Sequence, residues 1–397
     1  MPGPLSGITV LDVSRVLAGP FCTMLLADLG ASVVKIESPG RGDMARRMGP
    51  MVGEDAAYFM SINRGKQSVT LDIFANEGPQ LFRRLASQVD VLVENYVPGT
   101  MERLGLGYDA LKISNPKLVY ASISGFGQNG PYANRPALDI IVQAMGGIMS
   151  VTGNPDSPPI RPGVSLGDSV AGMFSALAIT SALHQRNSTG TGQHIDTSML
   201  DCQVTLMENA FSRYFATGEV PEKLGSRHPA ASPFQAFSTA DGYIVVAILS
   251  DDTLLWERFC HAVDAPELAH NPRFADNRTR IENQHLLEQL LTERFTLKPS
   301  AHWLERLEQA GVPCAPVNTI AQAADDPQVA HRDMLVDIPH HELGAWRVAN
   351  TPFRFSDAAT GPQGGAPRLG QDTNQVLTTW LGLSEHDLTE LRAAGTI

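Results

Sequence analysis

The carboxylate best placed to do chemistry is Asp168, in the run IRPGVSLGDSVAGMF (160–174). It follows Gly167 and precedes an apolar stretch with helical spacing, so it sits at a helix start. Two roles suit that position. An acidic side chain there accepts backbone N–H groups as an N-cap, and on position alone this is the stronger reading. The other role is nucleophilic. The small neighbours Gly167, Ser169, Ala171 and Gly172 leave room for a bulky reactant, and helix-terminal donors favour an anion and a developing oxyanion.

Cations gather elsewhere in the first half: Arg41, Arg46, Arg47, Arg64 and Lys66, then Arg103 and Arg135. Between positions 41 and 66 only Asp43, Glu54 and Asp55 oppose them. In a chain of net charge −12 such a local excess suits phosphate groups, which Arg and Lys meet with charge-assisted donors. A solvated surface fits the same residues. The overall acidity speaks against nucleic acid, whose binding needs broad phosphate neutralisation.

Other motifs lead less far. GFGQNG (125–130) has the dinucleotide spacing, but Pro131 and Pro136 bracket an irregular segment where a helix should begin. The place twenty residues after Gly130 is Ser150, not an acid. P-loop, zincin and serine-hydrolase signatures are missing. His340 and His341 are neighbours that an extended backbone turns to opposite sides, so a solvated loop is expected and no metal site. Cys22, Cys202, Cys260 and Cys314 have no paired spacing, and a reducing cytoplasm is expected. The opening MPGPLSGITVLDV lacks the pattern of a signal or transit peptide. The apolar stretch Val170 to Leu183 is broken by Gly172, Ser175, Thr180 and Ser181, and is expected as a buried helix outside any membrane.

The elements that must position these residues alternate. ITVLDV and ASVVKIE read as strands around the helical GPFCTMLLADLG. A helix over 77–89, the strand DVLVEN, a turn at 101–104 and the strand KLVYASIS follow. After Asp168 come a helix to about Gln185, the turn TGTG, the strand QHIDTSM and a helix to about Phe215. This predicts an α/β fold with a parallel sheet covered on both faces. The stretch 218–233 reads as a linker. Beyond it, GYIVVAI and amphipathic helices over 252–263, 279–295 and 302–310 predict a smaller α+β lobe, and Ser384 with Asp387 opens a last helix.

Eight blocks in order carry a resemblance: SRVLAGPF (14–21), LADLGASVVKIE (26–37), NRGKQSVTLD (63–72), VENYVPGTMERLGLGY (93–108), RPGVSLGDSVAG (161–172), TGTGQHIDTSMLD (189–201), GVPCAPV (311–317) and LGLSEHDLTELRAAG (381–395). Together they resemble the family III CoA-transferases across essentially the whole chain. The resemblance implies a large Rossmann-like CoA-binding domain from residues 1–220 and 331–397, a small α+β domain from 221–330, and two ring-shaped subunits interlocked as a homodimer. It implies acyl-CoA and carboxylic acids as substrates, with no prosthetic group. Asp168 matches the family's nucleophile, which forms an acyl anhydride and then an aspartyl-CoA thioester, dividing one difficult transfer into easier ones.

By the same resemblance Val16, Leu17, Ala18, Arg64, Gly65, Lys66, Gln67, Asn95, Tyr96, Arg103, Arg135 and Leu138 match CoA-binding positions, with Tyr96 suited to stacking on adenine. Formyl-CoA:oxalate transferases carry Gln where this chain has Leu17 and a glycine-rich loop where it has AILSDD (247–252), which argues against oxalate. The related α-methylacyl-CoA racemases place a proton-transferring His where this chain has Leu138, an aliphatic residue that moves no proton. Members that pair succinyl-CoA with dicarboxylates share RPGV and ENYVPG, and Arg15 or Arg46 then suits a distal carboxylate. A CoA-binding protein without activity is a third reading, opposed by the intact Asp168 motif.

Overall fold

The computed structural model describes residues 1–249 and 252–397, so Ser250 and Asp251 of the AILSDD segment lie outside the described residues. The chain divides into two compact units. The larger comprises Met1–Ile148, Arg161–Phe215 and Gln328–Ile397; the smaller comprises Met149–Ile160 and Ala216–Pro327. The stretch 149–160, expected within the large domain, thus packs with the smaller unit.

Six parallel strands form the sheet of the larger unit: β1 (Thr9–Asp12), β2 (Ser32–Glu37), β3 (Lys66–Thr70), β4 (Val91–Glu94), β5 (Val119–Ser124) and β6 (His194–Ser198). Their spatial order is 3-2-1-4-5-6, the doubly wound arrangement whose direction reverses between β1 and β4. Side-chain alternation sends Val10, Val33, Val91, Val93 and Ile123 into one apolar cluster, and Leu11, Val34, Leu92 and Tyr120 into another on the opposite face.

The first face is covered by α1 (Ala18–Asp28) and α5 (Leu166–Thr189). The second is covered by α3 (Gly78–Ala86), α7 (Thr373–Leu381) and α8 (Glu385–Ala393), where Phe82, Leu85, Leu377 and Leu388 are buried. Further helices of this unit include α2 (Ala57–Asn63), α4 (Asp139–Met145) and α6 (Met199–Leu206). The closing helix opens with a capping box: Ser384 Oγ accepts the Asp387 N–H at 3.2 Å, and Asp387 Oδ2 accepts the Ser384 N–H at 2.8 Å.

The edge strand β3 carries little apolar surface, and the C-terminal segment covers it. Asp372 Oδ2 accepts the Ser68 N–H at 2.8 Å, Thr373 Oγ1 accepts that of Thr70 at 2.9 Å, and Ser68 Oγ accepts the Gly370 N–H at 2.9 Å. Side chains thus satisfy a strand edge that is otherwise open to another chain.

Helix α5 runs 24 residues, long and apolar enough to cross a membrane by length and composition. Its inner face, with Val170, Ala171, Ile179 and Leu183, is buried in the sheet's core. At Gly172 it meets α1 closely, since a Cβ there would lie 2.7 Å from the Ala18 carbonyl oxygen and 3.1 Å from Phe21 Cδ1. Gly172 therefore serves helix packing and not the reactant space expected of it.

In the smaller unit Phe234–Ser238 and Tyr243–Ala247 pair antiparallel, with Cys314–Pro316 beside the second. Helices pack on them around Trp256, Phe259, Phe295 and Trp303. The helix expected over 279–295 is two, Asn277–Glu282 and Gln284–Phe295, separated at Asn283.

Gly172→Ala should destabilise the larger unit by about 1–3 kcal/mol through overpacking. Urea denaturation checks this, and an unchanged midpoint contradicts the close packing.

Candidate active site

Beyond β1 the chain must turn into α1 within a few residues, and Val16 does so with φ of 67°. For a β-branched residue this left-handed conformation costs about 1–3 kcal/mol and needs surrounding structure to hold it. Asp43 supplies that hold, accepting the Val16 N–H at 3.1 and 3.2 Å on its two oxygens. Asp43 is in turn paired with Lys35 at 3.0 Å, whose ammonium also donates to the Ser14 carbonyl at 2.8 Å. Beneath them Asp12 pairs with Lys66 at 3.0 Å and accepts the Thr23 hydroxyl at 2.6 Å. Burial penalises the Asp12 carboxylate, but Lys66, Lys35 and the Ser14 and Thr23 hydroxyls outweigh it and hold its pKa below the usual range.

Above this buried web opens a cleft of about 480 Å³, formed where β1, β2, β4 and β5 end. It lies at the switch point, where ligands of doubly wound sheets bind. Arg15 after β1 and Asn95 after β4 close its floor by exchanging two 2.8 Å hydrogen bonds, Arg15 N–H to Asn95 Oδ1 and Asn95 Nδ2 to the Arg15 carbonyl. The Arg15 guanidinium lies over the Tyr96 ring at 4.4 Å, and that of Arg135 over Tyr132 at 4.6 Å. Glu94 accepts the Tyr96 N–H at 2.7 Å, and burial pushes its carboxyl up to about 7.

Asp168 lines the cleft as the third residue of α5, so it is not the helix cap. Ser165 holds the N-cap position without a side-chain cap bond, and Asp139 at the start of α4 does the capping instead. Its Oδ1 accepts the Gly167 N–H at 2.8 Å. The approach requires glycine, since a Cβ at 167 would lie 2.6 Å from Val142 Cγ2 and 3.0 Å from Asp139 Oδ1. Among the described residues no donor is hydrogen-bonded to the Asp168 carboxylate. Its carboxyl is pushed up to about 6, first by burial and then by the neighbouring Asp139 charge, with Arg161 opposing. Tyr58 stands in the same field: burial and the Asp168, Asp43 and Asp139 charges raise its phenol to about 12 and keep it neutral.

The cleft thus brings together Asp168, Arg15, Val16, Leu17, Ala18, Asn95, Tyr96, Arg135 and Leu138. The other expected residues are placed elsewhere. Arg64 is buried against Asp28 at 2.6 Å, and Lys66 against Asp12 and the Asn63 side chain. Gly65 turns the chain at φ of 70°, its N–H donating to the Gly365 carbonyl at 3.0 Å, and Gln67 lies within β3. Arg46 is spent on Glu37 through two 2.7 Å bonds and covers the Phe59 ring at 3.7 Å. Arg103 donates to Thr100 Oγ1 at 3.0 Å, outside the cleft lining. The sequence assigns no role to Asp139 or Arg161, although RPGV marks the second and the first matches a family Asp directly after Leu138. Arg41 and Arg47, known only as members of a basic run, do line the cleft.

GFGQNG starts no helix: the chain stays irregular until Asp139, and a Cβ on Gly125 would collide with Ala137. His340 and His341, expected on opposite sides, stack at 4.9 Å because His341 already belongs to a turn, and both face Asp55 Oδ2 at 3.4 Å. His340 Nδ1 accepts the Glu342 and Leu343 N–H groups at 3.2 Å each; His340 is buried and not in the solvated loop expected, and one ligand atom each of Asp55, His340 and His341 lies within 4.8 Å of the others, a grouping able to hold a metal ion.

An unbonded carboxylate beside the arginines of a cleft at the switch point suits an anionic ligand, and comparison with known proteins fixes the class. CoA-transferase family III matches residues 5–373, and the chain belongs to that family. An acetyl-CoA:oxalate CoA-transferase of Acetobacter aceti is 43% identical over 93% of this chain and 94% of that protein. The succinyl-CoA:glutarate CoA-transferase of Homo sapiens is 37% identical over 99% of this chain and 90% of that protein. A CAIB/BAIF family protein from Brucella suis has a crystal structure that matches with a TM-score of 0.87 at 39% identity, covering 96% of this chain and 100% of its own. The chain is a CoA-transferase, with coenzyme A as a substrate.

Because its folded-state pKa is raised, Asp168 favours folding below pH 4 and opposes it progressively up to pH about 6. Asp168→Asn should therefore raise the melting temperature at pH 7.5, by roughly 1–3 kcal/mol of stability, and match the wild type near pH 3.5. Thermal denaturation at the two pH values decides, since a capping aspartate would show no gain.

Proposed function

We propose that the protein transfers CoA from succinyl-CoA or a similar short acyl-CoA to a dicarboxylic acid, with Asp168 as the covalent carrier. The observation that carries this reading is the Asp168 carboxylate, free of hydrogen bonds in a basic cleft. Asp168 attacks the acyl carbonyl and the CoA thiolate leaves, giving a mixed anhydride. The thiolate then attacks the Asp168 carbonyl carbon, the donor acid departs, and an aspartyl-CoA thioester remains. The acceptor carboxylate displaces CoA to form a second anhydride, and the thiolate attacks the acceptor's carbonyl, yielding the new acyl-CoA and restoring Asp168.

Helix α1 begins at the cleft with Ala18, and its first-turn N–H groups favour negative charge there. Arg15, Arg41, Arg47 and Arg135 supply cations for CoA phosphates and for an acceptor's distal carboxylate, with Tyr96 beside them for adenine. Arg15 takes the distal-carboxylate role in preference to Arg46, which Glu37 occupies. Oxalate, set aside because of Leu17, returns as an acceptor worth testing beside glutarate, given the Acetobacter relative. Met173 and Leu177 on α5 and Val204 on α6 are exposed, an apolar face suited to a second copy in a homodimer. We place the enzyme in the cytoplasm, where its four free thiols stay reduced.

Asp168→Asn should lower turnover by roughly three orders of magnitude or more while the fold persists; wild-type-like transfer contradicts the assignment. With succinyl-CoA and acetyl-CoA as donors, oxalate and glutarate should accept CoA and butyrate should not. Exchange of the α-proton into deuterated water without any change of acid partner would instead support racemisation, and inactivity with every pair would leave CoA binding alone.

A further inference from the structure

The residues around Asp168 include an ion pair that the transfer steps do not use. Asp139 carries an unusual load for one carboxylate. Its two oxygens each accept Gln143 Nε2 at 2.8 Å, its Oδ2 accepts Arg161 Nε at 3.0 Å and Nη2 at 2.7 Å, and its Oδ1 accepts the Gly167 N–H. Arg161 Nη2 also donates to Ser165 Oγ at 2.9 Å, on the residue at the N-cap position of α5. The chain from Arg161 to Gly167 is therefore tied to the first turn of α4 at both its ends. Asp168 is the next residue. Ionisation of a second carboxylate beside Asp139 is opposed unless a cation balances the first, and Arg161 is that cation.

We propose that the Asp139–Arg161 pair is the positioning device of the transfer reaction: it clamps the first turn of α5 so that Asp168 stays unbonded in the cleft, and it balances the charge beside the nucleophile. The inference rests on the reading of Asp168 as nucleophile. Asp139 lines the cleft beside Asp168 and Arg161 does not, and the role assigned to both is exerted through Asp168. Two charges act on Asp168, Asp139 from α4 and Arg161 from the segment before α5; neutral Tyr58 of α2 stands in the same field, while Arg15, Arg41, Arg47 and Arg135 line the cleft on its loops.

The pair makes opposite predictions for its two halves. The acid limb of kcat/KM reports ionisation of Asp168. Asp139→Asn keeps an acceptor for the Gly167 N–H, removes a negative charge and leaves Arg161 unbalanced, so the limb should move about one pH unit lower. Arg161→Gln leaves two uncompensated carboxylates, so the limb should move about one pH unit higher. Arg161→Lys, which keeps the charge but not the forked geometry, should return the limb to near the wild-type value with kcat still reduced. Thermal denaturation confirms folding of each variant; if Asp139→Asn does not fold, the contrast between Arg161→Gln and Arg161→Lys carries the test.

The same samples, incubated with acyl-CoA and no acceptor, are digested and weighed for CoA on the Asp168 peptide. A CoA adduct on the wild type together with opposed limb shifts supports the proposal. An adduct with limbs that stay in place, or that move in one direction for both variants, overturns the positioning role alone. No adduct on the wild-type peptide overturns the nucleophile reading, and this inference with it.

Discussion

One carboxylate, Asp139, settles what its neighbour is free to do. By accepting the Gly167 N–H it satisfies the start of α5, the task that position alone assigned to Asp168. The Asp168 side chain is left with no hydrogen bond among the described residues and with a carboxyl whose pKa burial has raised. Such a carboxylate gains little from the folded state, so its presence in the cleft is better explained by reactivity than by stability. The proposed nucleophile and the cap are two residues, Asp168 and Asp139, separated in sequence and joined at one helix end.

A second arrangement fixes the facing wall. The strained Val16 turn persists because Asp43 binds its N–H, and Asp43 is anchored by Lys35 within a web that includes Asp12 and Lys66. These charges lie under the cleft and not in it. Their burial is tolerable because each is paired and hydrogen-bonded, and breaking one pair would strand its partner. Rigid support beneath the α1 terminus matches the need of a site that handles anions through backbone donors.

The fold was largely legible in the chain. Apolar β-branched runs such as ITVLDV and ASVVKIE announced β1 and β2, and their alternation with helices announced a parallel sheet. The edge strand β3 escaped notice because KQSVT buries a single large apolar side chain, Val69, and relies on Asp372 and Thr373, some three hundred residues away, for its outer hydrogen bonds. At the site, residues flanking strand ends were readable through the family resemblance, and Arg15, Val16, Asn95, Tyr96 and Asp168 do converge. Partners of cations were not. Nothing near Arg64 or Arg46 in sequence foretells that Asp28 and Glu37 hold them, since those contacts arise only when α1 and β2 pack beside the loops. The capping role of Asp139 was unreadable for the same reason: its partner is Gly167, 28 residues later.

The central claim is that Asp168 changes oxygen partners during each transfer, and the most direct measurement follows an oxygen atom. If Asp168 carries the acyl group, one turnover with an acceptor acid labelled by oxygen-18 in its carboxylates leaves a labelled oxygen on the Asp168 side chain, found by mass in the peptide that contains it. Label that passes between acids and CoA esters without ever entering the protein contradicts the account.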